Sequence, residues 1–508
     1  MNGGVARPPH AAATSPAAGG SASVALPAPT PRWGVLEVRI SGPSHPNPFV
    51  DVELDAVFTR PSGDDVRVGG FYDGDGVYVL RALADTEGVW TFETRSTARS
   101  LDGLTGSATV VAPRQGCHGP VRADGFHFRH ADGTRYRPLG TTAYAWTHQP
   151  VALQEQTLET LARSPFTKLR MCVFPKSYLY NANEPGDFPF PGTLSSGFDL
   201  ERFDPAHFRR LEEHVAQLGA LGIQADLILF HAYDRWGFAD LGPAVDERYL
   251  RYVVRRLAAF ANVWWSMANE YDLLCAKDEQ DWERLAAIVG EEDAFGHLTS
   301  IHNCRPFYDY TRSWVTHVSA QRVDVYRTAE NTDQWREQWG KPVVIDECAY
   351  EGDIDQGWGN ITGEELVRRF WEGAVRGGYV GHGETYLPAA GEDEILWWSK
   401  GGVLHGTSPD RIRFLESLLA EAPDGVWDPL PSDWDVPWGG TDAHRIGYFG
   451  FNRPRFRDLV LSDGQWAIDV IDTWNMTIER LPGRHRDAVR VELPGRQFMA
   501  VRVVRVGD

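Results

Sequence analysis

Between about Arg122 and Pro423 the chain repeats one pattern: a short apolar run, then a longer stretch with helical periodicity. Neighbouring parallel strands need a crossover, and a helix is the usual one. Apolar runs fall at Leu139–Thr141, Lys168–Phe174, Ile223–Phe230, Val263–Met267, Leu298–Ile301, Val315–Val318, Val343–Ile345 and Tyr379–Val380. Helices are expected over Ala152–Ala162, from Asp204 onward, and over Tyr249–Phe260, Glu364–Val375 and Ser408–Leu419. The helix opened by Asp204 as N-cap and Pro205 in the first turn is the clearest. Phe208, Leu211, Val215, Leu218 and Leu221 make its apolar stripe, and Gly222 ends it. In the last helix Ser408 is placed as N-cap, before Pro409. Eight such strands in about 300 residues predict a closed (β/α)8 TIM barrel. A doubly wound open sheet is the competing arrangement.

On either side the period drops to two. Val50 to Phe58 alternates strictly, and turn residues such as Asp73-Gly74-Asp75-Gly76 separate the runs. Short alternating runs return at Arg445–Phe451, Ala467–Ile471, Ala488–Leu493 and Phe498–Val506. The expectation is a multidomain chain. Residues 1–31, rich in Ala, Pro, Gly and Ser, are expected to be a disordered leader. Residues 32–113 form an N-terminal β-sandwich, 114–425 the barrel, and 426–508 a small C-terminal β-sandwich.

Composition removes several functions. Fifty Lys and Arg against 70 Asp and Glu leave a net charge of −20, so the chain lacks a nucleic-acid binder's basic footprint. No apolar run approaches the roughly 18 residues of a membrane span. Five widely spaced cysteines indicate neither a disulfide framework nor a zinc knuckle. The leader lacks the apolar core of a secretory signal, which points to the cytoplasm. Nineteen Trp suit either sugar platforms or core packing.

In a barrel enzyme the working residues lie where strands end. The fourth strand runs into Asn269-Glu270 and the seventh into Asp346-Glu347. An apolar strand that ends in a carboxylate is costly unless that group has a job or a partner. Two such groups at one barrel mouth suit glycosidic bond cleavage, in which one is a protonated acid and the other an ionised nucleophile. Arg170, inside the second strand, would hold a carboxylate ionised, or serve as an ordinary buried salt bridge. His302 ends the fifth strand, Tyr144 and Trp146 follow the first, and Trp398 follows the eighth. The three aromatics are candidate sugar platforms, with domain packing as the alternative. Glu384 is a third candidate carboxylate.

Trp265 to Glu270 resembles the fourth-strand motif of clan A glycoside hydrolases, and Val344 to Glu347 is similar to their seventh-strand nucleophile motif. Arg170 and His231 match the clan's second-strand Arg and third-strand His. More closely, the layout resembles the apiosidase-like glycoside hydrolase family. Gly402 to Gly406, the leading sandwich and the stretch Val470 to Met476 carry that likeness. The resemblance implies Glu270 as acid/base, Glu347 as nucleophile and Asn269 as ligand of the sugar 2-hydroxyl. One departure stands out: many clan members carry a sixth-strand His-x-Tyr whose Tyr orients the nucleophile. Here the place reads His317-Val318-Ser319, and Gln321 follows.

The expected function is retaining, exo-acting hydrolysis of oligosaccharides or glycosides, with no cofactor, metal, nucleic acid or membrane involved. The sugar is left open among apiose, arabinofuranose, galactose, mannose and others, and so is the oligomeric state. Two alternatives stand beside this reading. One is a metal-dependent barrel hydrolase using His231, His302, His317 and His382. The other is a non-catalytic carbohydrate-binding protein.

Overall fold

The computed structural model describes residues 23–25, 28–321, 327–388, 396–431 and 433–507. Eight parallel strands form its centre: β1 Gly140–Thr142, β2 Lys168–Cys172, β3 Gln224–His231, β4 Val263–Asn269, β5 Thr299–Ser300, β6 Val318–Gln321, β7 Val343–Glu347 and β8 Tyr379–His382. Hydrogen bonding runs β5-β4-β3-β2-β1-β8-β7-β6, and a parallel bridge from His302 to Ser319 brings β5 to β6. The sheet therefore closes into the barrel. Strands β2, β3 and β4 are buried along their whole length, as expected where helices cover one face and the barrel core fills the other.

Among the described residues seven helices of eight residues or more accompany the strands: α1 Val151–Arg163, α2 Pro205–Ala220, α3 Pro243–Leu257, α4 Glu279–Glu292, α5 Thr332–Trp339, α6 Gly363–Val375 and α7 Ser408–Ala420. The Asp204 side chain caps α2, and Gly222 follows in the left-handed region at φ +74°. Three readings needed revision. Pro243 starts α3 six residues before Tyr249. Thr407, not Ser408, stands at the N-cap position of α7. Strand β6 begins at Val318, where the apolar run was expected to end, and carries on to Gln321. Helix α4 was not anticipated, although Asp278 and Asp281 form a capping box at its start.

The N-terminal sandwich has a four-stranded and a five-stranded sheet around Leu36, Val38, Phe58 and Trp90. It begins earlier than expected. Residues 1–22 and 26–27 lie outside the described residues, but Val24–Ala25 pairs with Ile40 and Arg39, and Thr30–Pro31 with Val110 and Val111. The end of the expected leader therefore supplies edge strands to both sheets. The C-terminal region has a six-stranded sheet and a two-stranded one around Trp466, Ile468 and Val501. It packs on α6 through Trp371, whose ring stacks on Tyr448 at 5.3 Å. Among the described residues no helix is long and apolar enough to cross a membrane.

Candidate active site

The barrel interior is built in layers. At the bottom, Phe128 of the hairpin Val121–Asp124/His127–His130 packs on Trp264, Leu298, Val344 and Tyr379. Above it lies a polar layer in which the Lys168 ammonium donates to Asp226 and Asp346, both at 2.6 Å. Ser319 donates to the other oxygen of Asp346 at 2.6 Å. Every carboxylate in this layer thus faces a donor, which offsets the desolvation cost of burying it.

The next layer holds Arg170, Asn269, Tyr144 and Glu347. Arg170 donates to Glu347 Oε1 at 3.3 Å and to Asn269 Oδ1 at 3.1 Å. The Tyr144 hydroxyl donates to Glu347 Oε1 and lies 3.2 Å from Asn269 Oδ1. Glu270 follows β4 with φ +53°, a conformation that costs a non-glycine residue about 1–3 kcal/mol. Its carboxyl accepts from the Tyr233 hydroxyl and from Asn269 Nδ2 at 3.2 Å. Gln321, oriented so that both of its amide atoms find suitable partners, donates to Glu347 Oε2 at 3.0 Å and Glu270 Oε1 at 3.2 Å. One amide nitrogen therefore spans the two carboxylates.

Their ionisation is driven apart. Burial, then the charge of Glu347, raises the Glu270 pKa, against the opposing Tyr233 hydrogen bond. Burial also pushes on Glu347, but His302, Arg170 and Tyr144 outweigh it and hold that carboxyl below its ordinary range. His302 lies 3.8 Å from Glu347 and is itself pushed down to about 3 by burial. At neutral pH the permanent cation beside Glu347 is therefore Arg170.

A cavity of about 600 Å³ opens above the pair, lined by Tyr144, Lys176, Tyr178, Tyr233, Asn269, Glu270, Cys304, Arg305, Gln321, Glu347, Tyr350, Trp358 and Trp398, among others. A larger cleft of about 1010 Å³ lies over Thr147–Gln154 and Asn183–Asp187 and touches neither carboxylate. Size alone would select the wrong one.

The expected site residues divide accordingly. Glu270, Glu347, Asn269, Tyr144 and Trp398 line the cavity, and Arg170 supports it from below. Trp146 does not take part. It is fully buried, its indole N–H donates to Met171 Sδ at 3.0 Å, and its ring meets His214 edge-on at 4.6 Å. It packs between the barrel and its helices, so its assignment as a sugar platform is corrected. His231 bonds the Phe174 carbonyl at 3.2 Å and lies outside the lining. His302 reaches the site only through Glu347.

His317 precedes β6 and packs on Phe128 and Trp264 at the opposite end of the barrel. The sixth-strand motif was therefore placed too low, and Tyr144 and Gln321 hold Glu347 instead. His382 meets Thr141 and Phe166. Among the described residues no three His, Cys, Asp or Glu converge as a metal site. Glu384 accepts from the backbone of His405 and Gly406, with Glu351 bound to Thr407 and Ser408 beside it. That pair clasps the start of α7 and does not line the cavity.

Tyr233, Lys176, Gln321 and Cys304 were missed as site residues. Tyr233 sits two positions after the third-strand His231, which was the one available signal.

A closed parallel barrel with two differently tuned carboxylates at its C-terminal mouth is the architecture of a clan A glycoside hydrolase, and the protein is a glycosidase. Residues 122–420 match the family described as "Apiosidase-like, catalytic domain", and the chain belongs to that family. Residues 29–97 match the domain of unknown function DUF5060, and 434–504 match DUF5605. A Bacteroides vulgatus protein assigned to the glycoside hydrolases is 35% identical, with a TM-score of 0.88 over 94% of this chain and 100% of that one. A family 5 glycoside hydrolase from the same species shares the fold at 15% identity and a TM-score of 0.58, covering 76% of this chain and 93% of that one. No curated protein matches the chain.

Proposed function

We propose that the protein is a retaining, exo-acting glycosidase in which Glu347 is the nucleophile and Glu270 the acid/base. Glu347 attacks the anomeric carbon while the Glu270 proton passes to the leaving oxygen, whose bond to that carbon breaks. Glu270 then takes a proton from water, which attacks the same carbon and releases Glu347. Asn269 and Arg170 hold the nucleophile side of the site.

The observation that carries this reading is the Gln321 amide shared between the two carboxylates. It limits the separation of the bonded oxygens to the sum of its two hydrogen bonds. Such close facing oxygens favour the short carboxyl separation of a retaining pair over the roughly 6.5–9.5 Å of an inverting one, which must leave room for a water. The raised pKa of Glu270 and the lowered one of Glu347 match their two tasks. A pocket backed by Trp358, Trp398 and Tyr178 favours a chain end over a chain interior.

The test is the stereochemical course. Proton NMR of the first sugar released should show the substrate's own anomer, and first-formed product of the opposite configuration would end this mechanism.

A further inference from the structure

Lys176 is 4% exposed, yet its ammonium faces the cavity. It stands 3.6 Å from the ring centre of Tyr144, 4.4 Å from Tyr233, 5.0 Å from Trp398 and 5.8 Å from Tyr178. Among the described residues it makes no ion pair and donates no hydrogen bond to a side chain or carbonyl. The aromatic faces compensate part of the lost hydration, but they supply no acceptor for its protons. A buried ammonium without an acceptor is costly, and burial accordingly lowers its affinity for the proton. The other buried lysines behave differently. Lys168 bonds two aspartates and Lys277 bonds Asp246 at 2.7 Å. In a chain of net charge −20 carboxylates are plentiful; here the charges of Glu270 and Glu347 are felt from further off, and no carboxylate comes within ion-pair distance among the described residues.

Position says what the missing acceptor is. Tyr144, under Lys176, touches the nucleophile, and Tyr233, also under it, touches the acid/base. The ammonium therefore serves the sugar whose anomeric carbon lies between those groups. Arg305, exposed at the rim beside Cys304 and without an ion pair among the described residues, adds a second positive charge at the entrance.

We propose that the sugar held against Glu347 carries a carboxylate, so that the substrates are glycosides of a uronic acid and Lys176 is the specificity-determining residue that pairs with that group. This rests on the catalytic assignment above.

The experiment compares nitrophenyl glucuronide and galacturonide with nitrophenyl glucoside and galactoside on the full chain. A uronide should exceed its neutral counterpart in kcat/KM by roughly tenfold to a hundredfold, the range of a charge-assisted hydrogen bond. Lys176→Met should collapse that ratio and Lys176→Arg should keep most of it, with thermal unfolding confirming that both variants fold. Preference for the neutral sugar, or a ratio that Lys176→Met leaves in place, overturns the proposal. So does an equal loss on both substrates, which would make the lysine a hydroxyl ligand or a counter-charge for Glu347.

Where no aryl glycoside turns over, calorimetric binding of free glucuronic and galacturonic acids against glucose and galactose makes the same comparison. Equal binding, or none, then overturns it. Failure of the catalytic assignment reads differently: Glu347→Gly would keep turnover, whatever the uronide preference.

Discussion

Two buried charge clusters in this protein follow opposite rules. At the seam between the N-terminal sandwich and the barrel, Arg81 donates to Glu212 at 3.0 Å and to Glu37 at 2.8 Å. Arg256 meets Asp73 at 3.0 Å and Glu212 at 2.5 Å. Each guanidinium finds two carboxylates, and Arg39 and Arg209 extend the cluster to the surface through Glu37 and Asp73. At the barrel mouth Arg170 is paired, but Glu270 is pushed toward its neutral form and Lys176 has no acceptor. A structural network lowers its cost by mutual pairing. A site leaves charges unsatisfied in the direction of its ligand, and perturbed groups in a cleft are the physical mark of that difference.

The comparison can be broken most decisively at Glu347, the proposed nucleophile. Glu347→Gly should lower kcat by more than about 10⁴-fold, because no carboxylate remains to form the intermediate. Added azide should restore turnover by giving a glycosyl azide of inverted configuration, identified by NMR. Retained activity without azide would remove Glu347 from its role.

Next is Glu270→Gln, expected to lower kcat by about 10²–10⁴-fold on substrates with poor leaving groups. Nitrophenyl substrates should lose less, and the basic limb of the pH profile should vanish. A persistent basic limb would assign the acid elsewhere.

The seam should respond in stability and not in chemistry. Glu212→Ala removes the carboxylate that Arg81 and Arg256 share, leaving Glu37 to the one and Asp73 to the other, and should cost about 1.5–3 kcal/mol. Denaturant unfolding should show that loss, with turnover at low temperature nearly unchanged. A large fall in turnover of the folded variant would show that the two clusters are coupled.

The smallest effects are pH shifts. In the proposed mechanism activity needs Glu347 ionised and should be lost as pH falls through its lowered pKa. It likewise needs Glu270 protonated and should be lost as pH rises through its raised pKa. The Tyr144 hydrogen bond lowers the Glu347 pKa, so Tyr144→Phe should move the acidic limb of kcat/KM to higher pH. The Tyr233 bond opposes the rise at Glu270, so Tyr233→Phe should move the basic limb to higher pH as well. A shift of either limb to lower pH would contradict the hydrogen-bond directions.

Glu270 and Glu347 were legible because each ends an apolar strand, and the residue before each fits a known motif. Tyr144 and Trp146 show where that legibility stops. Both follow the same strand and both are aromatic, yet one hydroxyl reaches Glu347 while the other ring packs on Met171 and His214. Two residues of chain direction in a turn decide this, and no periodicity governs a turn. Gln321 escaped for a related reason. The apolar run was read as ending at Val318, whereas the strand begins there and delivers Gln321 to the mouth.

The sequence by itself determined the barrel, the two β-rich flanks and the strands that carry Glu270 and Glu347. Those features rest on period, capping residues and turn residues, all of which act over a few positions. Only the tertiary structure decided which charges meet. Arg170 and Glu347 are 177 residues apart, Tyr144 and Glu347 are 203 apart, and Tyr233 and Glu270 are 37 apart. Their pKa values depend on burial and on separations of a few ångströms, because Coulomb energy varies inversely with distance and with local dielectric. Neither quantity is encoded in the spacing of residues along the chain. Barrel closure sets both, by bringing the ends of eight strands around one cavity.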